Sequence, residues 1–112
     1  MGYESLKDNT TGIENTAIGH DALTNNTIGG ANVAIGRSAL AANTTGSLNT
    51  AIGKSALLSN TTGEWNTAIG TGAMSGGTGT NCNVAVGFGA LHVNGGGDDN
   101  VAIGTRALRQ NT

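Results

Sequence analysis

The sequence predicts an all-β fold, a parallel β-solenoid (β-roll) of about six 17-residue coils. Three observations lead to this prediction. The motif Asn-[Thr/Val]-Ala-[Ile/Val]-Gly returns at a constant interval without insertion or deletion, as from Asn15 to Asn32. The 112 residues include 20 Gly and no Pro, and the only aromatic residues are one Trp, one Tyr and one Phe. A strict short period is typical of stacked repeats, and this one is shorter than the common helical and leucine-rich repeats.

The period divides residues 1–112, which we treat as a single repeat array, into a partial coil at 1–14 and six further coils. Those coils begin at Asn15, Asn32, Asn49, Asn66, Asn83 and Asn100. Neither end carries a polar cap of the kind that protects the terminal coil of a solenoid. We therefore expect the array to be a fragment of a longer fibre.

The first leg of each coil is predicted to be a strand. In the coil that starts at Asn32, alternation places Val33 and Ile35 on one face and Ala34 on the other. Both faces are apolar or small, which is typical of a strand that is buried on both sides. We expect the Ile face to fill the coil interior and the Ala face to meet another surface. The predicted core residues of this leg are Ile18, Ile35, Ile52, Ile69, Val86 and Ile103.

The second leg begins with an Ala-Leu or Ala-Met pair whose larger side chain is expected to point into the coil. These larger residues are Leu23, Leu40, Leu57, Met74, Leu91 and Leu108. The leg has the composition of either a short strand or one helical turn, and both alternatives stay open. Gly36 allows the turn between the legs, and Asn43-Thr44-Thr45-Gly46 has the residue types of a closing turn.

The Asn that opens each strand is expected to form an amide ladder, in which each side chain bonds to the next coil and to nearby backbone groups. The ladder residues are Asn15, Asn32, Asn49, Asn66, Asn83 and Asn100.

Charge and composition narrow the classes of partner. The net charge is −2 and the five Lys and Arg residues are dispersed, so we expect no nucleic-acid binding. No apolar stretch is long enough to cross a bilayer, so we expect no membrane insertion in this segment. The single cysteine, Cys82, cannot form an internal disulfide and is interpreted as a free thiol. Each coil offers only about two large apolar side chains, which favours burial through self-association.

The residues Asn-Thr-Ala-Ile-Gly-His-Asp-Ala-Leu at 15–23 resemble the head repeats of trimeric autotransporter adhesins of the YadA type. The spacing of the Asn-Thr-Thr-Gly blocks is also similar to repeat arrays in phage tail fibres. The resemblance extends over the whole chain through its six motif strands. It implies a homotrimer around one axis, an extracellular place at a cell surface or in a virion tail fibre, and a role as a rigid shaft or head. Bacterial adhesin and phage fibre both stay open.

No set of nucleophile, base and acid recurs among the coils, because His20 and His92 occupy different coils and different places in the repeat. We therefore expect no enzymatic activity and no cofactor. We also expect no metal site. The best calcium ligands would be Asp98 and Asp99, which follow a Gly-rich run, but the calcium-binding motif they resemble is a nonapeptide repeat with a much shorter period.

Two alternative functions remain. A receptor- or glycan-binding head is indicated by the aromatic residues Tyr3, Trp65 and Phe88, which all stand at variable places of the repeat. An ice-binding solenoid is indicated by a column of threonines one coil apart. That column contains Thr10, Thr27, Thr44, Thr61 and Thr78.

Overall fold

Each strand of the main sheet begins one residue after the motif Asn and ends at the Ile or Val before the motif Gly. In the computed structural model, which describes residues 1–112, these strands are β1 (Thr16–Ile18), β2 (Val33–Ile35), β3 (Thr50–Ile52), β4 (Thr67–Ile69), β5 (Val84–Val86) and β7 (Val101–Ile103). Two shorter strands lie in the second leg of the last two coils, β6 (Val93–Asn94) and β8 (Gln110–Asn111).

The strands stack in parallel with a constant offset of one coil. The main sheet has the order β1-β2-β3-β4-β5-β7, and β6 pairs with β8 in a second sheet. Ala34 faces its equivalents in the two neighbouring coils, Ala17 on one side and Ala51 on the other. The stack measures 34 × 21 × 16 Å. The predicted all-β parallel solenoid of about six 17-residue coils is confirmed. None of its elements is a helix that could span a membrane.

The glycine after each strand has a backbone angle that favours glycine, and wherever a further coil follows, the space beside it is also closed. Gly53 has φ of +128°, and a Cβ atom there would lie 2.7 Å from the carbonyl carbon and oxygen of Gly70 in the next coil. An L-residue rarely adopts this angle, and the stacked backbone leaves no room for its side chain. Each strand therefore ends at this glycine.

The prediction that the Ile and Val side chains fill the coil interior is wrong. The buried residue of each strand is the central alanine, as Ala34 and Ala51 show with no exposed surface. Of the expected core residues, Ile18, Ile69 and Ile103 are exposed, while Ile35, Ile52 and Val86 are only half-buried.

The buried asparagines explain this inversion. Asn49 precedes β3 and must point inward for its Nδ2 to reach the carbonyl of Gly63, 2.8 Å away. Alternation then turns Thr50 outward, Ala51 inward and Ile52 outward. The inward direction of the motif Asn therefore determines which strand residues face the interior, because they belong to the same alternating run.

The interior is filled from the second leg. Leu23, Leu40, Leu57, Met74 and Leu91 are fully buried and pack with the strand alanines in one core cluster. Leu108 is 50% exposed, because no coil covers its far side. The core is narrow. The strand contributes only an alanine to it in each coil, and the second leg fills the remaining space with one large side chain.

The second leg is mostly a series of turns, and neither a continuous strand nor a helical turn describes it. Two residues of each second leg have positive φ, such as Ser38 at 58° and Leu40 at 52°. Backbone bonds still join the coils here, for example from Leu40 N to Ala56 O at 3.0 Å. The left-handed residues tighten the leg into one turn per coil.

Candidate functional site

The outward side of the six-stranded sheet is a regular surface that extends over all six coils, and we call it the sheet face. It carries two rows of side chains: Thr16, Val33, Thr50, Thr67, Val84 and Val101 in one row, and Ile18, Ile35, Ile52, Ile69, Val86 and Ile103 in the other. All are Thr, Val or Ile, so the face contains no charged group.

The size of the sheet face follows from strand geometry. Six strands spaced by about 4.8 Å, each with three residues of about 3.3 Å, cover roughly 300 Å². Leu48 and Trp65, 49% and 55% exposed, precede β3 and β4 at the edge of this area. Nine of its twelve side chains are Ile or Val. An apolar patch of about this size is comparable to the largest one on an ordinary monomer, and such patches are often functional.

The first row of asparagines forms the expected ladder inside the solenoid. The side-chain oxygen of Asn32 accepts from both the backbone nitrogen of Asn49, at 3.0 Å, and its Nδ2, at 3.2 Å. The same pair of bonds joins Asn15 to Asn32 and continues through Asn66 and Asn83 to Asn100. From Asn32 to Asn83, both the oxygen and the nitrogen of each side-chain amide take part in these structural bonds.

A second asparagine ladder, which is not among the residues predicted from the sequence, runs along the closing turn. Asn43 Nδ2 donates to Asn26 Oδ1 at 2.8 Å and to Gly46 O at 2.9 Å. Comparable bonds join Asn26 to Asn9, Asn60 to Asn43 and Asn111 to Asn94. The sequence signal is an Asn at this place in every coil but the one with Gly77, and the turn-forming tendency of Asn conceals it.

The threonine column of the ice-binding alternative is also used internally. The hydroxyl of Thr27 donates to the carbonyl of Thr44 at 3.0 Å, and Thr44 donates in turn to Thr61 at 3.1 Å. Thr10 and Thr61 make the same bond to the next coil. Hydroxyls held in this way have their donor hydrogens directed along the stack, so the column no longer supports ordering of surface water.

The acidic residues considered for calcium do not form a cluster. Asp98 Oδ1 accepts from the backbone nitrogen of Asn81 at 2.6 Å, and both Asp98 and Asp99 are exposed. No group of three or more His, Cys, Asp or Glu side chains comes together as a metal site would require. Calcium binding with six to eight oxygen ligands has no support in this arrangement.

Apart from Arg106, Arg109 and His92, which line one cleft, the remaining charged and reactive groups are dispersed over the surface. Lys7 donates to Glu4 at 3.1 Å, and this hydrogen bond, with the charge of Glu4, raises the pKa of the exposed lysine. His20 Nδ1 lies 2.8 Å from Asp21 Oδ2. Cys82 is an exposed free thiol. None of these groups meets a second one in a catalytic arrangement.

Comparisons of the chain with protein-family models, with curated proteins and with solved structures give no match. The assignment to a fold therefore stands on the structure itself, and the resemblance to adhesin heads and phage fibres stays a prediction from the motif residues.

Proposed function

We propose that this chain is a structural segment of an extracellular fibre in which three copies pack side by side through the sheet face. The coils stack along the fibre axis, and the segment serves as a rigid shaft or head at a cell surface or in a virion tail. Its role is mechanical rather than catalytic, and its partners are further copies of the same chain.

The observation that carries the proposal is the sheet face. In every coil, one row of this face carries isoleucine or valine, although other side chains fill the interior of the solenoid. Burying such side chains stabilises by about 1.5–3 kcal/mol each when they are fully removed from water. Association through this face supplies the burial that the narrow core lacks.

Stiffness follows from the stacking. Every coil is bonded to its neighbours along the first leg, as from Thr50 N to Asn66 O at 2.8 Å, and along the turns, as from Thr44 N to Thr61 O at 2.9 Å. In such a one-dimensional array, bending requires neighbouring coils to separate at one corner, which breaks several of these bonds together. The resemblance of the motif residues to trimeric fibre proteins supplies the number of chains.

The test is the mass of the chain in solution, measured by light scattering over an approximately hundredfold range of concentration. The strands of one protomer offer roughly 300 Å², below the roughly 800 Å² per partner of a standard interface. Association should therefore depend on concentration and approach three times 11.0 kDa at the upper end. A mass of 11.0 kDa throughout contradicts self-association, and a plateau at twice that value contradicts the threefold arrangement.

A further inference from the structure

A cleft interrupts the regular surface of the last three coils, on the side where the strands pass into the second leg. Its floor is formed by Gly72 and Gly89, which stand at equivalent places in consecutive coils. In earlier coils the same place carries a side chain, that of Asp21, Ser38 or Ser55. Two side chains are therefore missing next to each other, and this creates the cleft.

The walls of the cleft are cationic and aromatic. Arg106, Arg109, His92 and Phe88 line it, Thr71 contributes a hydroxyl, and no acidic residue takes part. The two ion pairs of the molecule join other residues, so both guanidinium groups are free of a carboxylate partner. The chain as a whole has a net charge of −2. The positive charge at the cleft is therefore local and is not a general feature of the surface.

The side chains are arranged around a shared space. The guanidinium carbon of Arg106 lies 5.8 Å from the centroid of the Phe88 ring, within the range of a cation–π contact. Phe88 is 52% exposed and offers apolar surface beside this charge. His92 Nδ1 lies 2.8 Å from Ser75 Oγ and 3.3 Å from the carbonyl of Gly72, which fixes the imidazole against the floor.

The dimensions suit one six-membered ring. The cleft has a volume of about 150 Å³, and a closed cavity of about this volume holds a benzene molecule. Because the cleft is open on one side, the hydroxyl groups of a sugar ring can extend out of it. Arginine pairs with planar carboxylates through two parallel hydrogen bonds. A sugar ring that carries a carboxylate combines the charge, the hydroxyl groups and the apolar C–H face that these walls accommodate.

We propose that this cleft binds an acidic sugar unit of a glycan, with its carboxylate held by Arg106 and Arg109 and its ring against the exposed part of Phe88 that Arg106 does not cover. Thr71 and His92 provide hydrogen bonds to the ring hydroxyls. The cleft lies beyond the carboxyl ends of the strands and uses no residue of the sheet face, so this proposal does not depend on the number of chains in the assembly.

The experiment is an NMR titration of the isotopically labelled chain with glucuronic acid, with glucose as the neutral counterpart and sodium sulfate as a simple anion. We expect saturable shifts of the Phe88 and His92 signals with glucuronic acid and a dissociation constant in the millimolar range, roughly what one ring achieves. Glucose should give no saturable shift.

Variants separate charge from shape. Arg109→Gln should weaken binding about tenfold, as expected for the loss of a charged hydrogen bond. Gly72→Ser should weaken it similarly by filling the floor. Serine is tolerated there, because Ser38 has a φ of 58° at the same place and the new Cβ would lie 3.9 Å from His92 Nδ1. As a matched control, Ser55→Gly removes a side chain in a coil without arginines and should create no new binding.

Unchanged circular dichroism and unchanged mass would show that each variant keeps its fold and assembly. The absence of saturable shifts up to about 50 mM glucuronic acid, well above millimolar affinity, overturns the proposal. Sulfate binding as tightly as glucuronic acid also overturns it, because the cleft would then recognise charge alone.

Discussion

The side-chain oxygen of Asn49 accepts two hydrogen bonds from Asn66, one from its backbone nitrogen at 3.0 Å and one from its Nδ2 at 3.1 Å. The same Nδ2 also donates to the carbonyl of Thr80 at 2.6 Å. Both asparagines are fully buried. A single amide thus links two coils and both sides of the closing turn, and each of its own buried groups has a partner.

Replacement of Asn66 by Asp should be strongly destabilising. The carboxylate keeps the shape of the amide but presents an acceptor to Asn49 Oδ1 and to Thr80 O, where Nδ2 now donates. Loss of two buried donors and burial of a charge should lower the free energy of unfolding by about 3 kcal/mol or more. The measurement is denaturant unfolding.

Asn25→Asp is the matched control, since Asn25 is exposed and its Nδ2 donates only to Ala41 O, so it should cost less than about 1 kcal/mol. Equal losses in the two variants would contradict the role of the ladder.

The period of the sequence was sufficient to predict the solenoid, its number of coils and the burial of residues such as Leu40. It was not sufficient to predict which strand face points inward. Alternation separates Ala34 from Val33 and Ile35 but does not say which side is the interior. That choice is made by the asparagine before the strand, whose Nδ2 requires a carbonyl across the coil. A small, polar-lined interior then selects alanine over isoleucine.

The left-handed residues were equally invisible in the sequence. Leu48 has φ of 60° and Trp65 of 55°, and the equivalent residue of other coils is Glu, Ala, Cys or Asp. No residue type is shared, because the angle is imposed by stacking rather than by local preference. Gly72 and Gly89, at another left-handed place, carry the residue type that most often marks such a conformation, and Asp21 and Asp99 carry a type that tolerates it.

The glycine after each strand allows backbone strain and steric clash to be separated. Gly53→Ala places a Cβ 2.7 Å from the backbone of Gly70, whereas in Gly104→Ala the nearest atom is the Ala107 Cβ at 3.9 Å. Both glycines have similar φ, +128° and +122°. We expect Gly104→Ala to lower the free energy of unfolding by about 1–3 kcal/mol through strain alone. Gly53→Ala should cost several kcal/mol more or prevent folding, and equal thermal stabilities would contradict the close approach of the coils.

The second asparagine ladder is interrupted in one coil, where two residues of the repeat differ together. In five places an Asn is followed by Gly three residues later: Asn9 and Gly12, Asn26 and Gly29, Asn43 and Gly46, Asn60 and Gly63, and Asn94 and Gly97. The coil that starts at Asn66 has Gly77 and Thr80 instead. The reason is steric, because a Cβ at Gly46 would lie 2.5 Å from Asn43 Oδ1. The exchange leaves the buried Oδ1 of Asn60 and Oγ1 of Thr80 without a partner.

The double variant Gly77→Asn with Thr80→Gly should restore the ladder and give Asn60 Oδ1 its donor. Gly77→Asn alone should be destabilising, because the new side chain meets Thr80, and Thr80→Gly alone removes a buried side chain. We expect a favourable coupling free energy of about 1–3 kcal/mol between the two sites in a double-mutant cycle measured by denaturant unfolding. Additive effects would contradict the interpretation that Thr80 occupies the space of the missing amide.

Two adjacent residues of β3 distinguish folding from assembly. Ala51 is fully buried and Ile52 lies on the sheet face. Ala51→Asp should abolish the folded state, because an unpaired charge cannot be accommodated in the coil interior. Ile52→Asp should keep the circular dichroism spectrum of the solenoid and lower the mass in solution to 11.0 kDa, because like charges would meet where copies of the chain pack together. Ile52→Val is the matched control and should retain the mass of the unmodified chain. Unfolding of the Ile52→Asp variant would show that this side chain supports the coil itself, and an unchanged mass would show that copies of the chain associate through another surface.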